Sequence, residues 1–254
     1  MYHSEINSQD LDLFLKYIGF GEQDKAEAML RKNPDLALWP GKLIDCAERQ
    51  FKQITGFQYA VWALDWHMWN MVKKYMPEEE IKKQLIMLET EDWIKEHGSQ
   101  VSWKNLTDAL SSYLVNYYKW NWDQREAHWC KQIGKAQLTL PAHVINEYSR
   151  HDRSFNPCPD FSTLQKLPRV GCDTWKNSDG HILGQTIAWV RSGKRDRMYG
   201  RKTPRPEYVM VSPAGCPSAA MDRLALVALS KIRIEQRAQF LSSVTLDTKP
   251  KFNP

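Results

Sequence analysis

No Cys-x-x-Cys pair occurs in this sequence. Its five cysteines, Cys46, Cys130, Cys158, Cys172 and Cys216, are odd in number and widely spaced. Neither a disulfide framework nor a structural zinc site is therefore expected, and reduced thiols in a cytosol-like compartment are. No apolar run approaches the roughly 18 residues that a membrane-spanning helix needs. The N-terminus, Met-Tyr-His-Ser-Glu-Ile-Asn, has no basic segment followed by an apolar one. The sequence thus predicts a cytoplasmic protein, or one exported without a standard signal peptide, with the cytosol of a host cell as a destination. There is no low-complexity tract, no phosphate-cradling glycine loop and no Gly-x-Ser-x-Gly elbow. No cofactor is expected.

What the chain does have is length enough for a core and an excess of indole. Its 254 residues are 42% hydrophobic and 26% charged, a balance that fits one large or two moderate globular domains. Eleven are tryptophan. Trp joins a large apolar area to a polar N–H, so it serves in cores and as an interface anchor alike.

The stretch from Thr55 to Tyr75 organises the first third. Ala60 and Ala63 lie one helical step apart and let another helix approach closely. Met68, Met71 and Val72 recur at the spacing of a second amphipathic helix. Two helices this short cannot bury their apolar faces alone and must stack on a similar pair. Thr55-Gly56-Phe57-Gln58-Tyr59-Ala60 resembles the Thr-Pro-Leu-His-x-Ala opening of an ankyrin repeat. The Thr and Ala match, Phe57 stands for the Leu, Gly56 replaces the Pro and Gln58 the His. Gly21 to Leu30 resembles the outer helix of a second copy, with Asp12 to Tyr17 as its inner partner. The offset of 43 residues between Gly21 and Leu64 exceeds the usual period of about 33, so the resemblance implies an enlarged connector. It covers about the first 80 residues. Ankyrin-like proteins are frequent among the effectors that intracellular bacteria inject into host cells, and the resemblance implies a protein–protein interaction role of that kind.

The remaining elements follow from local signals. Asn33-Pro34 should end the second helix, and Pro34 to Lys52 is a connector with a short helix around Leu43 to Gln50. Pro77 precedes a helix over Glu78–Leu88, with acids in its first turn. Gly98 interrupts. From Ser102 to Cys130 the pattern is helical and aromatic, with a break near Asn121, and Pro141 fits the start of a helix over Ala142–Tyr148. His151 to Arg169 reads as an irregular linker. Gln185–Val190 and Tyr208–Val211 are short β-prone runs that would pair as a hairpin. Pro217 to Leu241 is a long helix with Met221, Leu224, Val227, Ile232 and Phe240 as core candidates. The fold class expected is mainly α: ankyrin-like helix pairs over 1–90, a helical Trp-rich middle with a linker over 91–169, and a small α+β part over 170–254.

Four features are candidate sites. The connection between the β runs contains Arg191, Lys194, Arg195, Arg197, Arg201, Lys202 and Arg205, opposed only by Asp196. This segment carries +6 against +5 for the whole chain, so the rest is close to neutral and the basicity is local. Such a loop attracts carboxylate or phosphate surfaces, and Tyr199 within it could stack on a planar group. An acidic protein or a phospholipid headgroup suits it better than nucleic acid, which usually meets a broader footprint; the plain alternative is a solvated hairpin tip. Trp62, Trp66 and Trp69 fall on one helical face if the helix is continuous. They would there be anchors for a partner, or core residues stacking the repeats. His143, Glu147 and His151 lie at steps of four, within reach of a common ion or simply on an exposed polar face. Cys216 would sit at the mouth of the last helix, where N–H dipoles favour a thiolate. With His143 or His181 as base it would serve a hydrolase or transferase; otherwise it is an idle thiol.

Overall fold

The computed structural model describes residues 7–148, 157–163, 167 and 216–246. The chain divides into two compact units, one of Met1–Val101 with Lys231–Pro254, the other of Ser102–Ser230. The β-prone runs and the basic segment between them lie outside the described residues. Among the described residues the protein is mainly helical, with one two-stranded antiparallel sheet. No helix among them is long and apolar enough to cross a membrane.

The first unit opens with α1 (Ser8–Gly19), whose N-cap Asn7 accepts from the backbone of Gln9. Phe14, Leu15 and Ile18 form its buried stripe. Gly21 turns the chain at φ 69°, and α2 (Gln23–Lys32) returns with Ala26 and Leu30 buried. Asn33 ends it in an extended conformation before Pro34. The connector is a hairpin of β1 (Gly41–Ile44) and β2 (Gln50–Ile54), with Leu43 opposite Phe51. The helix expected over Leu43 to Gln50 is therefore not formed. Leu43, Phe51 and Ile54 are buried while Lys42, Ile44, Gln50, Lys52 and Gln53 are exposed, and an irregularity in the register lets Phe51 and Ile54, three residues apart, share the buried face. Asp45 fixes the turn: its buried carboxylate accepts from the backbone of Ala47 and Arg49 and, at 2.7 Å, from Nε of Arg49.

The central helix pair is present. In α3 (Gly56–Trp62) Thr55 and Gln58 form a reciprocal capping box, and Gln84 joins it through the Thr55 hydroxyl. The Gln found where the ankyrin signature has His thus closes the cap, and its amide also donates to the Gln84 carbonyl. Gly56, where the signature has Pro, has a packing reason. A Cβ there would lie 2.8 Å from Cε1 of Phe14, closer than carbon atoms tolerate. Leu64 then reverses the chain at φ 59°, with Asp65 N bonded to Ala60 O at 2.9 Å, the six-to-one bond of a Schellman turn. Asp65 caps α4 (Trp66–Val72) by accepting from Met68 N. The two helices are separate, so Trp62, Trp66 and Trp69 do not share one continuous helical face. After a 3-10 turn over Lys73–Tyr75 come α5 (Glu78–Leu88) and α6 (Glu91–His97), the latter ended by Gly98 at φ 75°.

The second unit contains α7 (Lys104–Asn116), α8 (Trp122–His128), a π-helical turn over Trp129–Gly134, the short α9 (Lys135–Gln137) and α10 (Ala142–Tyr148). Its core holds Trp103, Leu106, Leu110, Tyr113, Trp129, Ile133, Leu140 and Val144. Asn121 breaks α7 from α8 with a second capping box, as the sequence anticipates.

The last helix, α11 (Cys216–Leu246), contributes residues 216–230 to the second unit and 231–246 to the first. Its buried positions include Ala219, Asp222, Leu226, Leu229, Arg233 and Arg237, whereas Leu224 and Val227 are exposed. Those two are not core residues. The buried stripe is built from small and charged side chains as much as from large apolar ones, so hydrophobicity alone points to the wrong face. In the second unit Leu226 O accepts from the Trp103 indole at 3.1 Å and Arg223 donates to Ser111. In the first, Phe240 stacks on Trp69 with ring planes 5° apart and meets Phe57 edge-on.

Candidate functional site

Helices α1 and α2 pair antiparallel in sequence logic through the tight turn at Gly21, and their outward-facing rows leave a groove of about 390 Å³. Leu13 and Tyr17 of α1, Ala28 and Met29 of α2, and Leu36 line it. Asp10, Lys25 and Lys32 mark the polar rim. Leu13 is 40% exposed. Lys25 pairs with Glu22 and lies over the Tyr17 ring at 5.3 Å, whereas Lys32 has no acidic partner among the described residues. The groove is lined mostly by apolar surface with Asp10, Lys25 and Lys32 among it, a form that accepts a few apolar side chains from a partner. The steps Asp10, Leu13, Tyr17 and Lys25, Ala28, Lys32 carry this signal in the sequence. It is faint because the same spacing serves a buried face equally well.

Elsewhere in the first unit a set of buried polar contacts holds its shape. Tyr59 donates to Asp45 at 3.0 Å. Burial, aided by Asp45 and Cys46 and opposed by Arg49, pushes the Tyr59 phenol well above its ordinary value. Arg233, 1% exposed, lies over the Trp66 ring at 5.1 Å, and its Nη2 is 3.3 Å from Nε2 of His67. Receiving that guanidinium bond requires the unprotonated imidazole nitrogen. Arg237 donates to Glu89 at 2.7 Å and to the Ser99 carbonyl.

The candidate residues of the sequence fall in different places. Trp69 is buried at 1% exposure against Phe240, and Trp66 is half-buried beneath Arg233. His143 and Glu147 are buried, at 1% and 2% exposure, so the exposed polar face expected there is corrected. His143 packs edge-on against Trp103 in the second unit's core; His151 lies outside the described residues. Among the described residues no group of three or more His, Cys, Asp or Glu is placed to hold a metal ion. Cys216 is a half-buried free thiol at the start of α11. Burial first, then Tyr117 and least of all Cys216 push the Tyr113 phenol up, against Arg125. His181, Arg191, Lys194, Arg195, Arg197, Tyr199, Arg201, Lys202 and Arg205 lie outside the described residues.

The family model described as the CBUA0006 C-terminal domain matches residues 105–244. That is more than half of the chain. The chain belongs to the CBUA0006 C-terminal domain family. A curated relative, an uncharacterized protein, CBUA0006, of Coxiella burnetii (strain RSA 493), is 35% identical over 210 residues. These cover 72% of this chain and 59% of the relative, so the chain spans well under two thirds of that protein's length. No solved structure matches. The region matched by the CBUA0006 C-terminal domain begins within α7 and ends within α11, and it includes the basic segment. The groove between α1 and α2 lies before it.

Proposed function

We propose that this chain is a non-enzymatic interaction module that holds a protein partner with an acidic surface. The observation that carries the reading is the groove between α1 and α2, with its mostly apolar lining and with Lys32, which has no acidic partner among the described residues, at its edge. A partner helix offering two or three apolar side chains flanked by acids fits both features. The resemblance of Thr55–Ala60 to the opening of an ankyrin repeat supports it, since stacked helix pairs bind through such surfaces. The basic segment with Arg191, Lys194, Arg195, Arg197, Arg201, Lys202 and Arg205 then raises the encounter rate and adds affinity for the same acidic chemistry. In this reading the protein acts as an effector in the cytosol of a host cell, delivered without a standard signal peptide.

The test is affinity capture from host-cell lysate followed by binding measured with the partner identified. Leu13→Glu together with Met29→Glu should weaken binding at least tenfold by placing charge in the groove, the fold being checked by circular dichroism. Arg195→Glu with Arg197→Glu should slow association and flatten its dependence on salt. Unchanged affinity in both variants would reject the reading.

A further inference from the structure

The turn joining α7 to α8, in the second unit, is a different kind of surface. Within eight residues Val115 is 68% exposed, Tyr118 86% and Trp122 49%. An exposed tyrosine beside an exposed tryptophan is unusual for a surface with nothing to meet. The turn is also rigid. Lys119 N and Trp120 N both bond to Asn116 O at 2.9 Å, and Asn121 caps α8 with the help of Gln124. Neighbouring rings hold it from beneath: Tyr117 meets Tyr113 edge-on at 5.5 Å, and Trp120 lies 4.8 Å from the His128 ring. Arg125 spans the outside, 4.8 Å over Tyr117 and 5.9 Å over Trp122. The exposed rings are thus presented in a fixed arrangement, and little freedom is lost when they are covered.

The charges around the turn point to what covers it. Lys119 stands between Tyr118 and Trp120, and Arg125 follows on α8. The π-helical turn and α9 then expose Lys131 and Lys135. None of these four cations has an acidic partner among the described residues, unlike Lys104, which pairs with Asp108 at 2.6 Å. Asp123 and Glu126 match Lys119 and Arg125 in number, and Lys131 and Lys135, farther along the chain, bring the stretch 115–135 to a net +2. Trp and Tyr favour the boundary between headgroups and acyl chains, where the ring is apolar and its N–H or O–H stays wet. Cations beside them favour an anionic leaflet. A protein partner would need a deep pocket to enclose a tyrosine as exposed as Tyr118, whereas a bilayer interface receives it without one.

We propose that the Val115–Trp122 turn is a peripheral membrane anchor, inserting Tyr118 and Trp122 at the headgroup level of an anionic phospholipid bilayer.

The full chain is tested by co-sedimentation with vesicles of phosphatidylcholine alone and of phosphatidylcholine with phosphatidylserine. Binding is expected with the anionic vesicles. Tyr118→Ser with Trp122→Ser should reduce it about tenfold or more, because affinity scales with the apolar area inserted. Lys119→Glu should weaken it several-fold on anionic vesicles only. The same losses should appear in an Arg195→Glu, Arg197→Glu background, which separates the turn from the basic segment. Tyr118→Trp keeps an interfacial ring and should bind at least as well. A far-ultraviolet melt confirms that each variant folds. The proposal is overturned if the full chain ignores anionic vesicles, if the double serine variant binds them equally, or if the turn instead captures a soluble protein with no vesicle binding.

Discussion

At the scale of single residues, the first unit depends on contacts that leave no spare room and no spare acceptor. Gly56 has the ring of Phe14 against the place where a Cβ would stand. Gly56→Ala should lower stability by about 1–3 kcal/mol, the usual range for overpacking a filled core, as read by urea unfolding. Tyr59 makes an alkaline prediction. Its folded-state value lies above its unfolded one, so below pH about 10 the phenol is protonated in both states and its contribution is fully present. Above that only the unfolded chain ionises, and stability falls as pH rises, by about 1.4 kcal/mol per pH unit for this group. Tyr113 shifts in the same direction and adds to the slope. Urea curves at successive alkaline pH values should show the loss, and Tyr59→Phe should shallow it while weakening the protein at neutral pH by removing the bond to Asp45.

At the scale of elements, the signals that could be read locally are those that act locally. Asn33-Pro34, Pro77, Gly98, Asn121 and Pro141 each mark a helix boundary in the structure because capping and proline sterics need no distant partner. The β1–β2 hairpin is hidden because Leu43 to Gln50 also fits a helical turn, and the choice is made by Asp45 collecting the N–H groups of Ala47 and Arg49. The buried face of α11 is hidden for a different reason. Arg233 and Arg237 look solvent-facing in sequence, and only their seats against Trp66, His67, Glu89 and Ser99 make burial tolerable. Leu224 and Val227 look buried and are not. The groove was legible only as two helical rows with no sign of which side they face. Phe240 carries much of α11's attachment within the first unit, between Trp69, Phe57 and Lys73. It is half-buried, so Phe240→Ala should cost about 2 kcal/mol, less than a fully enclosed ring. Thermal unfolding checks the magnitude, and faster proteolysis within 231–246 checks the location.

At the scale of the whole molecule, the unit that begins the chain is completed by residues 231–246, the far end of α11. Domains commonly fold as they emerge during synthesis, the N-terminal one first. Here that order is denied. While the ribosome is still making residues 102–230, Trp69 and Phe57 have no Phe240 to cover them, and Glu89 has no Arg237. The early segment must wait, exposed, until residues 231–246 have been made, and holding it against premature aggregation becomes a task for whatever chaperone meets the nascent chain.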